Sequence, residues 1–349
     1  WEDLTFAALS LGLALATKGT AYVFCAAIGI AVAGNSLIGE KADKIKNQGF
    51  RYALIVLLAL LINTGIFTRN MQLYQHPLIT SNQRIFLEEI TPGIIFANLI
   101  RNGVSHLASP FGPANKLITT GVETILGSQL NNPASTFEGS EFMLSSFINE
   151  NETGNLIHFL LITISLLIFP CKNKEQKKDQ RPLIISLLLS ILFFSLAFKW
   201  QPWGARLQLP ILMLGCVLVG LISNTNLKRG GFQALLILFL LLSSTYYLFN
   251  NSNRPFFPLW DDKDILESEF TTRLEEGSDQ YPIQSRIYQK FLDIFFRGRS
   301  IWVTERDQLY FLSNYKHYHS YRRAGKFLWD DPSREIGLIM DADDWEYPI

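Results

Sequence analysis

Apolar runs close to membrane length alternate with short charged segments along the first 253 residues. From Leu4 to Gly39 the single charge is Lys18, and uncharged runs follow at 52–68, 153–171, 182–198, 207–227 and 230–253. A hydrocarbon core of about 30 Å takes roughly 20 helical residues. Backbone groups in lipid pair only within helices or closed barrels. The pattern therefore predicts a mainly α protein, a polytopic transmembrane helical bundle of about six hydrophobic segments. The first run reads either as one long span or as a bent pair broken at Thr17-Lys18-Gly19-Thr20.

Between the second and third runs lies a long loop, 69–152. Its apolar stretches near 84–107 and 113–129 have roughly helical spacing, with Leu87, Ile90, Ile94, Ile95 and Leu99 on one face. That predicts surface helices lying on the membrane, separated at Pro110, Gly112 and Pro113. From Arg254 the character changes: 18 acidic and 13 basic residues fall in 254–349. A helix over 283–297 and short strands at 300–304 and 336–340 are expected there. The organisation is thus a transmembrane domain, 1–253, followed by a small soluble α/β region, 254–349, which reads as incomplete.

Charge sets the expected orientation. Lys41, Lys44, Lys46 and Arg51 mark one loop, and Lys172, Lys174, Lys177, Lys178 and Arg181 a second. Lys228 and Arg229 mark a third. Basic loops stay on the cytoplasmic side. Loops 69–152 and 199–206 and the tail then lie outside, and the alternation has no violation. The expectation is a multi-pass protein of the cytoplasmic (inner) membrane with its active face periplasmic. Net charge is zero, 31 against 31, which gives a nucleic-acid partner no electrostatic support. The three dispersed cysteines form neither a disulfide framework nor a zinc pattern. No cleavable signal is visible. The chain starts at Trp1 without Met and stops at Ile349, so a fragment lacking both ends is expected.

Chemistry concentrates at the outer loops. Lys199-Trp200-Gln201-Pro202-Trp203-Gly204-Ala205-Arg206 is a short turn between two apolar runs. Trp settles at the headgroup level, and a guanidinium at that depth needs an anion or water. Lys18, isolated in an apolar run, either meets a phosphate or snorkels from a helix break. Arg69 and His76 begin the long loop, as ligand groups or as an interfacial anchor. Glu152, Asn155 and His158 end it. Asn155 and His158 share a helical face, and Glu152 reads as a base or a hydroxyl ligand, unless the segment is a capping turn. His317 and His319 would share one face of a strand, but no third metal ligand is evident. Asp341, Asp343 and Asp344 lack the calcium-loop pattern. Nothing calls for a metal or a cofactor. No phosphate-binding glycine loop, serine-nucleophile elbow or zinc-peptidase motif occurs. The candidate groups Arg69/His76, Glu152/Asn155/His158 and Trp200/Trp203/Arg206 all fall on the outer side.

Several stretches resemble the bacterial polytopic glycosyltransferases of the GT-C superfold, nearest to glycosyltransferase family 39, the protein-mannosyltransferase-like group. They are residues 13–20, Arg69-Asn70 with His76-Pro77, Gly154-Asn155 with His158, Trp203 with Arg206, Leu207 and Pro210, and the Asp344–Pro348 stretch. Each is short, and together they cover most of the chain. The resemblance implies transfer of a sugar from a polyprenyl-phosphate-linked donor to an acceptor outside the membrane, with inversion at the anomeric carbon. It implies phosphate stabilisation by Lys18, Arg69 or Arg206. The catalytic base of such enzymes sits in an outer loop after the first span, which is expected upstream of Trp1, so Glu152 is not assigned that role. A transporter or flippase, or an O-antigen ligase- or polymerase-like enzyme, is the competing expectation. The partners expected are the lipid-linked sugar, the bilayer and a glycan, lipid or protein acceptor, with no nucleic acid.

Overall fold

The computed structural model describes residues 2–38, 42–78, 85–146, 148–149, 151–226, 230–251, 256, 306 and 318–329. The described residues are mainly helical, and their only β pairing is two isolated bridges. Three helical segments are long and apolar enough to cross a membrane: Thr20–Leu37, Asp43–Ile62 and Gln180–Ala197. Three shorter apolar helices cover Leu156–Cys171, Leu209–Ser223 and Gln233–Phe249.

The chain divides into two compact units, Trp1–Ser146 with Asn151–Ala234, and Phe147–Glu150 with Leu235–Ile349. In the first unit the leading apolar run is two helices, α1 (Glu2–Thr17) and α2 (Thr20–Leu37). Lys18 and Gly19 form the break, so the bent pair replaces the single span. α3 (Ala42–Ile62) and α4 (Thr64–Tyr74) follow. The span expected over 52–68 is shifted, because α3 already begins at Ala42 and breaks at Asn63. Lys44, Lys46 and Arg51 therefore ride on a helix rather than in a loop.

A specific contact explains the break. Gly12 of α1 leaves no room for a side chain, since a Cβ there would lie 2.7 Å from Ile62 Cδ1. In that close approach the fully buried Asn63 donates from Nδ2 to Gly12 O at 2.8 Å and to Ala59 O at 2.9 Å. A buried amide that found no such acceptors would cost about 1–3 kcal/mol. α1 thus packs along α3, whereas α2 packs along α8 (Lys174–Ala197).

α5 (Pro92–Ser105) starts where Thr91 caps it, its side chain accepting from Ile94 N at 3.3 Å, with Pro92 in the first turn. Leu87 and Ile90 therefore precede the helix and do not share its face with Ile94. The buried face of α5 is Ile94, Ala97, Asn98, Arg101 and Asn102. It packs on α8, so α5 is no simple membrane-surface helix. α6 (Gly112–Leu126), α7 (Leu156–Ile168), α9 (Gly204–Leu207) and α10 (Leu209–Asn226) complete the unit with the start of α11 (Gly230–Phe249). Phe24, Ile162, Leu187, Phe194, Ile211 and Leu218 form a core where α2, α7, α8 and α10 meet. A second core gathers Ala97, Val122, Leu126, Phe142 and Trp200.

In the second unit the described residues include the rest of α11, where Tyr246 and Tyr247 make an edge contact, and α12 (Tyr318–Trp329). Arg322 donates to the Tyr318 hydroxyl at 3.0 Å within α12. Tyr318 and His319 thus lie on a helix, which corrects their expected strand placement. His317, the helix 283–297, the strands 300–304 and 336–340, and Asp341, Asp343 and Asp344 lie outside the described residues.

Candidate functional site

The segment after α8 is held in an extended shape from both sides. Leu87 N donates to Ala197 O at 3.1 Å and Lys199 N to Ile85 O at 2.9 Å. Trp200 N donates to Ser135 O at 2.8 Å, and Phe137 N to Trp200 O at 2.9 Å. Lys199 is buried, and its ammonium pairs with the exposed Glu88 carboxylate. The pair borders a depression of about 530 Å³ that also includes Asn131, Thr136 and Glu138. Trp200 is 2 % exposed, its ring edge on Phe142 at 5.0 Å and its indole N–H given to Ser105 Oγ at 3.1 Å. It is a packed wedge, with almost none of its ring open to the surface. Trp203, half-buried, meets Phe137 edge-on at 4.9 Å.

Beneath this turn lies a polar layer that reading apolar positions alone passes over. Arg101 is 0 % exposed and has no carboxylate among its hydrogen-bond partners. Its guanidinium donates to Leu130 O (2.7 Å), Thr136 Oγ1 (2.6 Å), Ser135 O (3.0 Å) and Ser135 Oγ (2.8 Å). Burial pushes its pKa down to about 10, so it stays charged at neutral pH. Arg101 fixes the 130–136 loop, which in turn pairs with Trp200. Asn98 ties α5 to the end of α8 by donating to Ser195 O and Phe198 O, both at 2.7 Å.

A relay of side chains then runs outward. Asn102 Nδ2 donates to Ser195 Oγ at 3.4 Å, and Gln208 Nε2 to Asn102 Oδ1 at 3.5 Å. His106 Nε2 stands 3.3 Å from Gln208 Oε1, and Asn155 Nδ2 stands 3.5 Å from His106 Nδ1. Every bond has a donor facing an acceptor if His106 is neutral and carries its proton on Nε2. Burial lowers the His106 pKa, opposed by the weaker effect of the Gln208 hydrogen bond. Asn155 leads into α7 without capping it. Its amide serves His106 instead, and its Oδ1 accepts no hydrogen bond among the described residues.

This arrangement predicts a pH response. The folded pKa of His106 lies below the unfolded value of about 6.5. Above pH 6.5 both states hold a neutral ring and the term vanishes. Below it the unfolded state takes up a proton that the folded state refuses, so stability falls. The fall is at most about 1.4 kcal/mol per pH unit until the folded pKa is reached. Thermal unfolding from pH 7 to pH 5 should show this loss, and His106→Gln should flatten it by one proton.

Two of the predicted cations lie within electrostatic reach of each other. Arg206 is exposed and donates from Nη1 to Asn151 Oδ1 at 2.7 Å. Lys18, at the α1–α2 break, lies near enough that Arg206 is the second cause, after partial burial, of its lowered pKa. Two cations 188 positions apart in the chain thus feel each other's charge, and half-buried Glu152 follows Asn151 in the sequence. Asn155 follows three residues later, and half-buried His158 occupies the first turn of α7. Arg69 and His76 are exposed. Arg69 lies on α4 and His76 in the turn after it, where Leu78 N donates to His76 Nδ1 at 3.2 Å. Asn98, Arg101, Asn102, His106 and Gln208 escape the sequence reading. The available signal is the stripe Asn98, Arg101, Asn102 and Ser105 at i, i+3, i+4 and i+7 in an otherwise apolar helix.

No protein-family model matches the chain, and neither does a curated protein or a solved structure.

Proposed function

We propose that this chain is a membrane glycosyltransferase acting on a polyprenyl-phosphate-linked sugar at the outer face of the cytoplasmic membrane, in the manner of the GT-C enzymes it resembles. One observation carries the reading: Lys18 lies within electrostatic reach of Arg206, whose guanidinium donates to Asn151 Oδ1 at 2.7 Å. Two like charges in proximity repel, and a phosphate between them turns that repulsion into two attractions. Amides beside it suit sugar hydroxyls, each with a donor and an acceptor.

In the reaction an acceptor hydroxyl attacks the anomeric carbon. Its C–O bond forms as the bond from that carbon to the phosphate oxygen breaks. The lipid phosphate leaves with the electron pair, and the hydroxyl proton passes to a carboxylate base that the resemblance places outside the residues named here. Lys18 and Arg206 stabilise the charge growing on the departing phosphate. Asn155, held by neutral His106, orients the sugar. Trp203 and His158 flank this surface, while Arg69 and His76 belong to the entry region of the long loop.

Sugar transfer by the full-length protein in membranes tests this. Losing one charge-assisted hydrogen bond costs about 1.5–3 kcal/mol, so Arg206→Gln should lower kcat/KM roughly 10- to 100-fold. Undiminished transfer would remove Arg206 from the site.

A further inference from the structure

At the other end of α8 from Trp200 lies a second pocket, of about 450 Å³. Lys174, Lys177, Lys178 and Arg181 line it, together with Asn35, Ile38 and Phe169. The four cations occupy i, i+3, i+4 and i+7, one face of the first two turns of α8. No Asp or Glu lines the pocket, and none of the four makes an ion pair among the described residues. Two electrostatic effects oppose this placement. Like charges three and four apart repel, and a helix N-terminus disfavours cations. Basic-loop topology accounts for cations at this end of the helix. It does not account for four of them lining one concavity beside Ile38 and Phe169. The cluster also abuts the membrane-length segment Gln180–Ala197, where a lipid headgroup would lie.

We infer that this pocket binds the phosphate headgroup of an anionic glycerophospholipid on the basic-loop side of the membrane. Lys174, Lys177, Lys178 and Arg181 hold the phosphate, and Ile38 and Phe169 meet the glycerol and first acyl carbons. A bound anion satisfies the mutual repulsion of the four cations and the N-terminal dipole of α8 together. The site would couple α2 to α8, since Ile38 follows the former and the cations begin the latter. It depends on α8 crossing the membrane and not on sugar transfer.

The test uses the full chain in neutral detergent, with retained lipid counted by native mass spectrometry. The probes are phosphatidylglycerol, phosphatidylcholine and inorganic phosphate. Wild type should retain phosphatidylglycerol over phosphatidylcholine, and inorganic phosphate should not displace it. Removing two exposed cations in Lys174→Gln/Lys178→Gln should weaken retention roughly 30-fold, at about fivefold for each cation. Ile38→Trp, which fills the pocket and leaves the charge intact, should weaken it as well. Lys116→Gln on α6 should change nothing. Equal retention of both lipids would overturn the proposal, as would unchanged retention in both pocket variants. Displacement by inorganic phosphate alone would assign the site to a free anion and overturn the lipid.

Discussion

Arg101→Met should cost about 3–5 kcal/mol of stability, because it strips several buried acceptors of their donor at once. The chemistry is lopsided in a useful way. Leucine 130, serine 135 and threonine 136 contribute only acceptors and hydroxyls to the guanidinium. A methionine fills similar space but leaves the Leu130 and Ser135 carbonyls buried and unmet, and such groups cost about 1–3 kcal/mol each. Arg101→Lys keeps the charge but cannot reproduce the planar fork, so it should recover only part of the loss. Because the 130–136 loop pairs with Trp200, the variant should also shift Trp fluorescence to the red as the indole meets water. Chemical unfolding with Trp emission as the readout checks both effects. A loss under 1 kcal/mol would mean that the loop is held by the Trp200 ladder alone.

Gly154→Val is the second large effect. A Cβ at position 154 would lie 2.2 Å from Ala108 O, 2.8 Å from Ala108 N and 2.9 Å from Ala108 C. These are backbone atoms, so no rotamer change relieves the overlap, and the cost falls at or above the top of the usual 1–3 kcal/mol for overpacking. The 151–155 segment must lift from the 106–109 turn. That motion pulls Asn155 from His106 and lets water reach the ring. The expected result is a lower unfolding temperature together with a His106 pKa returning toward about 6.5, read by NMR titration. A stable variant with an unchanged His106 titration would show that the segment packs elsewhere.

Both effects arise where sequence reasoning was weakest, and the reason is physical. Hydrophobic periodicity finds the face a helix turns to an apolar core. It found the runs that became α3, α7, α8, α10 and α11, and the Lys18-Gly19 interruption marked the α1–α2 break. α5 buries Asn98, Arg101 and Asn102 instead, so the apolar positions Leu87 and Ile90 pointed to the wrong face and the wrong start. Thr91-Pro92, a cap followed by proline, was the better boundary signal. Lys18 and Arg206 were singled out as isolated cations and lie within electrostatic reach of each other. Trp200 was singled out for its amphipathic ring, but its neighbours Phe142 and Ser105, 58 and 95 positions away, make it a buried wedge. No local pattern carries pairings of that separation. The Asn155–His106–Gln208–Asn102 relay was invisible for the same reason.

The central claim is that Lys18 and Arg206 hold a lipid-linked phosphate. Its most direct test is the affinity of the full-length protein, in detergent, for polyprenyl phosphate and for the matching polyprenol. Wild type, Lys18→Gln, Arg206→Gln and the double variant form a complete cycle. Wild type should prefer the phosphate. Each single variant should lose roughly tenfold or more of that preference, and the double variant nearly all of it, with polyprenol binding unchanged throughout. Equal wild-type affinity for phosphate and alcohol, or a double variant that keeps its phosphate preference, would contradict the assignment.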